Sequence, residues 1–154
     1  MEDEVLNSHN KLEHRPSHTT EHILNQTMVR LFGCSRAVEA HIEEKKSKMD
    51  FKLDAEPTQN QIQQIENMVN SVIAQNLQVT MEFTTQAEAV QMFDLKRLPD
   101  GASQTVRIVH VGDFDSCLCI GQHVNNTSEI GMFKITSSSF SDGIWRVRWK
   151  LLPR

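Results

Sequence analysis

The chain has 154 residues, 38% hydrophobic and 23% charged, with a formal net charge of −4 at pH 7; this is enough for one domain with a sizeable core and too acidic for a globally basic nucleic-acid binder. No apolar run reaches the ~18 residues a membrane helix needs and no charged-then-apolar leader suggests secretion, so a soluble protein is expected. Cys34, Cys117 and Cys119 cannot all pair, which favours a reducing cytoplasm over a disulfide framework.

Residues 1–15, MEDEVLNSHNKLEHR, carry little apolar pattern and read as a loose leader to a single domain over 16–154. Pro16 and Ser17 open a helix with Ile23, Met28 and Leu31 at helical spacing, and Gly33 can terminate it. AVEAHIE and KMDFKLD alternate as strands do and form a hairpin through EEKKS. Pro57 suits a first helical turn, after which Ile62, Ile65, Met68, Val69, Val72 and Ile73 recur at spacings of three and four until Asn76. LQVTMEF is a strand, Thr85 and Glu88 form a capping box for a short helix QAEAVQMF, and PDG is a turn. TVRIVHV leads to the cysteine segment, and MFKIT and IWRVRWKLL are strands joined through SDG. This order predicts an α+β domain, a mostly antiparallel sheet with helices packed on one face.

Two short motifs carry metal-ligand chemistry. In HTTEH, His18 and His22 stand about 40° apart around a helix and can reach one ion; CIGQH gives Cys119 and His123 the same spacing, with Gly121 allowing a tight path between them. A zinc site collects four such groups, or three and a water. Spacing alone does not unite pairs so far apart in the chain, and each pair alone is more readily explained by solvation or packing. Both readings stand at this point.

The segments HTTEHILN, KSKMDF, NSVIAQNLQV, RIVHVGDFDSCLCIGQHVNNTSEIGMFKI and WRVRWKLL together resemble the editing domain shared by alanyl- and threonyl-tRNA synthetases. Across roughly residues 15 to 152 the chain is most similar to the short free-standing alanyl-tRNA editing proteins, so any synthetase is expected to act separately. The resemblance implies a two-layer sandwich and one Zn2+ held by His18, His22, Cys119 and His123. It also implies hydrolysis of the ester joining a wrong amino acid, typically serine or glycine, to the tRNA 3′ end. Alanine-type members commonly read Cys-Gly-Gly-Thr-His, whereas Ile120 and Gln122 replace the first Gly and the Thr here. The strand after the first helix, where the family often senses the substrate side chain, reads AVEAHIE, so Glu39, His41 and Gln122 are catalytic candidates by position.

Deacylation needs positioned water and oxyanion stabilisation, with Thr19 and Thr20 as further helpers and Cys117 as a buried thiol rather than a fifth ligand. A tRNA also needs basic surface. In IWRVRWK, Trp145, Val147 and Trp149 alternate with Arg146, Arg148 and Lys150, which makes the three cations tRNA-binding candidates, extended by Arg107, Lys134 and Arg154 if the strands are neighbours. The expected activity is zinc-dependent deacylation of mischarged tRNA of the alanine system. A non-catalytic, zinc-stabilised module binding tRNA or a partner is the alternative, and a small-metabolite hydrolase a third. A peptidase is disfavoured because Thr19, not Glu, follows the first histidine.

Overall fold

A computed structural model describes residues 14–89 and 105–153. The first helix, α1, spans Arg15–Phe32. It begins inside the segment assigned to the leader because His14 caps it: the His14 ring accepts the Ser17 N–H at 3.3 Å, and Pro16 sits in the first turn. Gly33 ends it in the left-handed conformation at φ 67°, returning its N–H to Val29 at 2.9 Å. Strands β1 (Glu39–His41) and β2 (Ser47–Lys52) form the expected hairpin.

Helix α2 covers Gln59–Ala74, with Thr58 and Gln61 as a reciprocal capping box, so Pro57 lies just outside the first turn. Asn76 turns left-handed at φ 55° and stops it. Next come β3 (Val79–Thr85) and a short α3 (Gln86–Ala89), where the Thr85 hydroxyl accepts the Glu88 N–H at 3.1 Å. The remainder of that predicted helix, the PDG turn, residues 1–13 and Arg154 lie outside the described residues. Strands β4 (Thr105–Val111), β5 (Asp115–Leu118), β6 (Met132–Ser141) and β7 (Ile144–Leu152) complete the chain.

The α+β class and the antiparallel pairing are as expected, but the described strands divide into two sheets, ordered β1-β2-β7-β6 and β3-β4-β5. Period-two alternation makes the larger sheet two-sided. Met49, Phe51, Phe133, Trp145, Val147 and Trp149 are buried against Ile23, Leu24 and Met28 of α1 and Ile65 and Val69 of α2. The polar side chains between them face out. Asn70 of α2 exchanges two hydrogen bonds with the backbone of Phe133, and Glu66 accepts the Ile135 N–H, so part of the β6 edge is closed by helix side chains. Among the described residues no helix is long and apolar enough to cross a membrane.

Candidate metal centre and its pocket

His18 and His22 leave one face of α1 a turn apart, while Cys119 and His123 flank the turn after β5. One ligand atom from each of these four residues lies within 4.8 Å of all the others. The Cys119 Sγ is 3.7 Å from His18 Nε2 and 3.4 Å from His123 Nε2. Ordinary Zn–S and Zn–N lengths in a tetrahedron require an S···N edge of about 3.6 Å. The donor set therefore fits that ion in both chemistry and spacing.

Each imidazole is oriented through its other nitrogen. The Nδ1 of His18 donates to the Gln122 carbonyl at 2.9 Å, that of His123 meets Thr19 Oγ1 at 3.1 Å, and that of His22 faces Asp115 Oδ2 at 3.4 Å. A donating Nδ1–H leaves Nε2 free to ligate, so the three rings are set alike. Thr19, buried between α1 and the turn, also accepts the Val124 N–H at 3.1 Å. Asp115 is buried and receives Arg36 through both guanidinium nitrogens at 2.8 and 3.2 Å and Gln26 at 2.9 Å. Burial opposes its charge, yet His22 and Arg36 hold its carboxyl well below the ordinary range.

The cluster favours a thiolate. Burial raises the Cys119 thiol, but hydrogen bonds from His123, His18 and His22 outweigh it and bring it well below its ordinary value. Burial lowers His22 too, and hydrogen bonds to Asp115, Cys117 and Cys119 more than reverse the effect. Burial, only partly offset by Cys119, and the neighbouring His22 and His18 lower His123 to about 4. Burial likewise lowers His18, and Cys119 and Glu21 more than reverse it, so of the three imidazoles only His123 is held neutral, and a metal bound at His18 and His22 would displace their protons.

The turn is fitted to the helix at Gly121. A Cβ there would stand 2.0 Å from His18 Cε1, so only glycine lets the backbone lie against the ring. Arg107 grips the same turn, donating to the Cys119 carbonyl at 2.9 Å and to the Gly121 carbonyl. It braces the metal turn instead of joining the row of cations on β7.

The cluster opens into a cavity of about 270 Å³ lined in part by Glu21, Arg36, Glu39 and Cys117. Of the three catalytic candidates, Glu39 lines this cavity. His41 projects from the outer face of the sheet, bonded to Glu43, and Gln122 extends its side chain to Arg15 at 3.1 Å. Thr20 returns its hydroxyl to the Pro16 carbonyl at 2.7 Å. Cys117 is half-buried and outside the four-donor group. Glu21, with Oε1 3.7 Å from His18 Nε2, was not among the candidates, although its position three after His18 put it on the same helical face. No local signal singled out Asp115 or Arg36, whose meeting depends on tertiary structure.

The β7 alternation is as expected: Trp145, Val147 and Trp149 are buried, Arg148 and Lys150 are exposed, and Arg146 is half-exposed. Arg146 is clamped by Asp50 through bonds of 2.8 and 2.9 Å.

Residues 106–148, which include Cys119 and His123, match the family described as Threonyl and Alanyl tRNA synthetase second additional domain. The chain is 36% identical over 133 residues to the alanine-tRNA ligase of Fervidobacterium nodosum, covering 85% of this chain and 15% of that protein. It is 34% identical over 145 residues to the alanine-tRNA ligase of Caldicellulosiruptor saccharolyticus, covering 92% and 16%. For that of Bacillus subtilis the identity is 34% over 124 residues, covering 80% and 14%. The chain thus spans about one sixth of the length of these curated relatives. It is related to the editing domain of alanyl-tRNA synthetase.

Proposed function

We propose that this chain is a zinc-dependent hydrolase that deacylates mischarged tRNA, with Ser-tRNA or Gly-tRNA of the alanine system as substrate. The observation that carries the reading is the convergence of His18, His22, Cys119 and His123, from two distant segments, in a chain related to alanyl-tRNA synthetase. A cytoplasmic location and a single domain over residues 16–154 belong to the same reading.

Bound zinc, held by His18, His22, Cys119 and His123, would supply Lewis acidity if its coordination expanded or one donor were displaced. The chain's own groups supply the rest. Glu21 stands beside His18 at the mouth of the cavity, where its carboxylate can orient a water toward the ester carbonyl and accept its proton. The proton then passes to the departing ribose oxygen as the ester C–O bond breaks, leaving free amino acid and the tRNA hydroxyl. Glu39 on β1 lines both this cavity and a depression on the outer face of the sheet, where its charge reinforces that of Asp50 on the Arg146 guanidinium. Arg36 is held by Asp115 and contributes a fixed positive charge to the cavity wall.

One observation favours the alternative of a non-catalytic, zinc-stabilised tRNA- or partner-binding module: four protein donors leave a tetrahedral ion no open position. Amino-acid release from Ser-tRNA, Gly-tRNA and Ala-tRNA of the alanine system separates the two. Selective release of serine or glycine, abolished in a His18→Ala, Cys119→Ala variant, supports the hydrolase. Tight tRNA binding with intact esters supports the module.

A further inference from the structure

The outer face of the β1-β2-β7-β6 sheet carries a band of cations assembled only by strand register. Lys48 of β2 lies directly opposite Arg148 of β7, and Lys150 of β7 directly opposite Lys134 of β6. All four are exposed, and among the described residues none forms a salt bridge. Opposed like charges on one sheet face destabilise it, the more so about 5 Å apart on adjacent strands. Such pairs persist in a chain of net charge −4, which makes them a local exception to its acidic character. Ser137 faces Arg148 across the sheet, adding a hydroxyl beside the cations.

The band has a direction. Asp50 is bound to Arg146 on one side, so the cations outside any salt bridge among the described residues run from Lys134 and Lys150 through Arg148 to Lys48. Lys48 then lines a depression of about 470 Å³ together with Glu39, Ala40, His41 and Asp50. Glu39 and Ala40 also line the cavity at the donor cluster, so the short strand β1 separates the basic face from the metal centre.

We infer that Lys48, Lys134, Arg148 and Lys150 form a track for the phosphate backbone of the tRNA acceptor arm, whose 3′ end crosses β1 to the donor cluster. This rests on the proposed function and refines it: Arg146 serves the sheet through Asp50, while Lys48 and Lys134 join the track. Cations set side by side by strand register, none of them in a salt bridge among the described residues, suit a polyanion better than a protein surface of mixed charge.

The test is the affinity of uncharged tRNA transcript for wild type and for a Lys48→Ala, Lys134→Ala, Arg148→Ala, Lys150→Ala variant across a salt series. Lys52→Ala, on the same face beyond Asp50, serves as control. The track predicts roughly tenfold or more weaker binding and a salt slope shallower by about 2 to 4, with zinc content unchanged. A Lys134→Ala, Lys150→Ala variant should lose about half that slope change and guards against misfolding of the quadruple variant. Unchanged affinity and slope in both variants overturn the track. Equal loss in Lys52→Ala overturns it as well, since the effect would then be diffuse charge. Amino-acid release by the wild type tests the proposed function separately: release with an unaltered slope in the variants sinks the track alone, and neither release nor tRNA binding sinks both.

Discussion

At the donor cluster each polar group is matched by another. Three imidazoles are turned by Gln122, Asp115 and Thr19, Asp115 is satisfied by Arg36 and Gln26, and the turn is gripped by Arg107. On the outer sheet face, four cations oppose one another and none forms a salt bridge among the described residues. The first region is preorganised by its own side chains, at the cost of burying ionisable groups that depend on each other. The second keeps its charges in water, where each costs little, and draws from them only a weak electrostatic assist to Asp50. Interdependence therefore predicts large effects of single substitutions at the cluster and small, separable effects on the face.

The largest effect should follow Cys119→Ala, which removes the thiolate and leaves three imidazoles competing for solvent. Stoichiometric zinc should be lost and amino-acid release with it; metal analysis of the purified variant is the check, and retained stoichiometric zinc would refute the assigned ligand set. Next comes Asp115→Ala. Removing one partner of a buried pair typically costs about 3 kcal/mol and freeing a ligating histidine about 10- to 100-fold in metal affinity. Denaturant unfolding and chelator competition measure the two losses, and a stability change without an affinity change would confine Asp115 to Arg36. Gly121→Ala should be smaller in stability but visible in zinc binding, because its Cβ cannot coexist with the His18 ring as placed. Wild-type zinc affinity in that variant would show that the turn does not position His18.

The two regions also differ in how they could be read from the chain. His18–His22 and Cys119–His123 carry recognisable chemistry, and the helix under the first pair follows from periodicity and from Gly33. Their union does not follow from spacing; it needs β5 to lie against α1, a contact that the family resemblance implied and local sequence did not. Asp115 and Arg36 were illegible for the same reason. The face of β7 was legible, since Trp145, Val147 and Trp149 fix which side is buried. Which cations would neighbour one another was not, because register across β2, β7 and β6 is a tertiary property. Arg107 misled for a similar reason: its position on β4 gives no hint that it reaches the carbonyls of the metal turn.

Acidification separates the Asp50–Arg146 pair on the face from its neighbours. Hydrogen bonding from Arg146 is the main reason the Asp50 carboxyl is held below its ordinary value, with burial opposing it and charge from Arg146, Lys48 and Arg148 assisting. Because the folded value lies below the unfolded one, of about 3.9, the folded state binds fewer protons there. The contribution is present above about pH 4 and is lost as pH falls through the folded value. Asp50→Asn should therefore lower stability at neutral pH and flatten the acid limb of unfolding curves taken between about pH 5 and pH 3. An acid limb as steep as wild type would remove Asp50 from the cause.

The smallest change sharpens the contrast most, because its sign is reversed. Lys134→Glu places a carboxylate opposite Lys150 on the β6 edge, converting a repulsive cross-strand pair into an attractive one without touching the core. Such exchanges are worth about 0.5 kcal/mol, or a Tm higher by roughly 1 to 2 °C in a chain of this size. The same substitution should weaken tRNA binding, so stability and affinity move in opposite directions. Calorimetry and the salt series measure both on one sample. If Tm falls, the face is held by its cations after all, and the contrast with the donor cluster fails. If Tm rises while affinity is unchanged, the repulsion exists but the track does not use it.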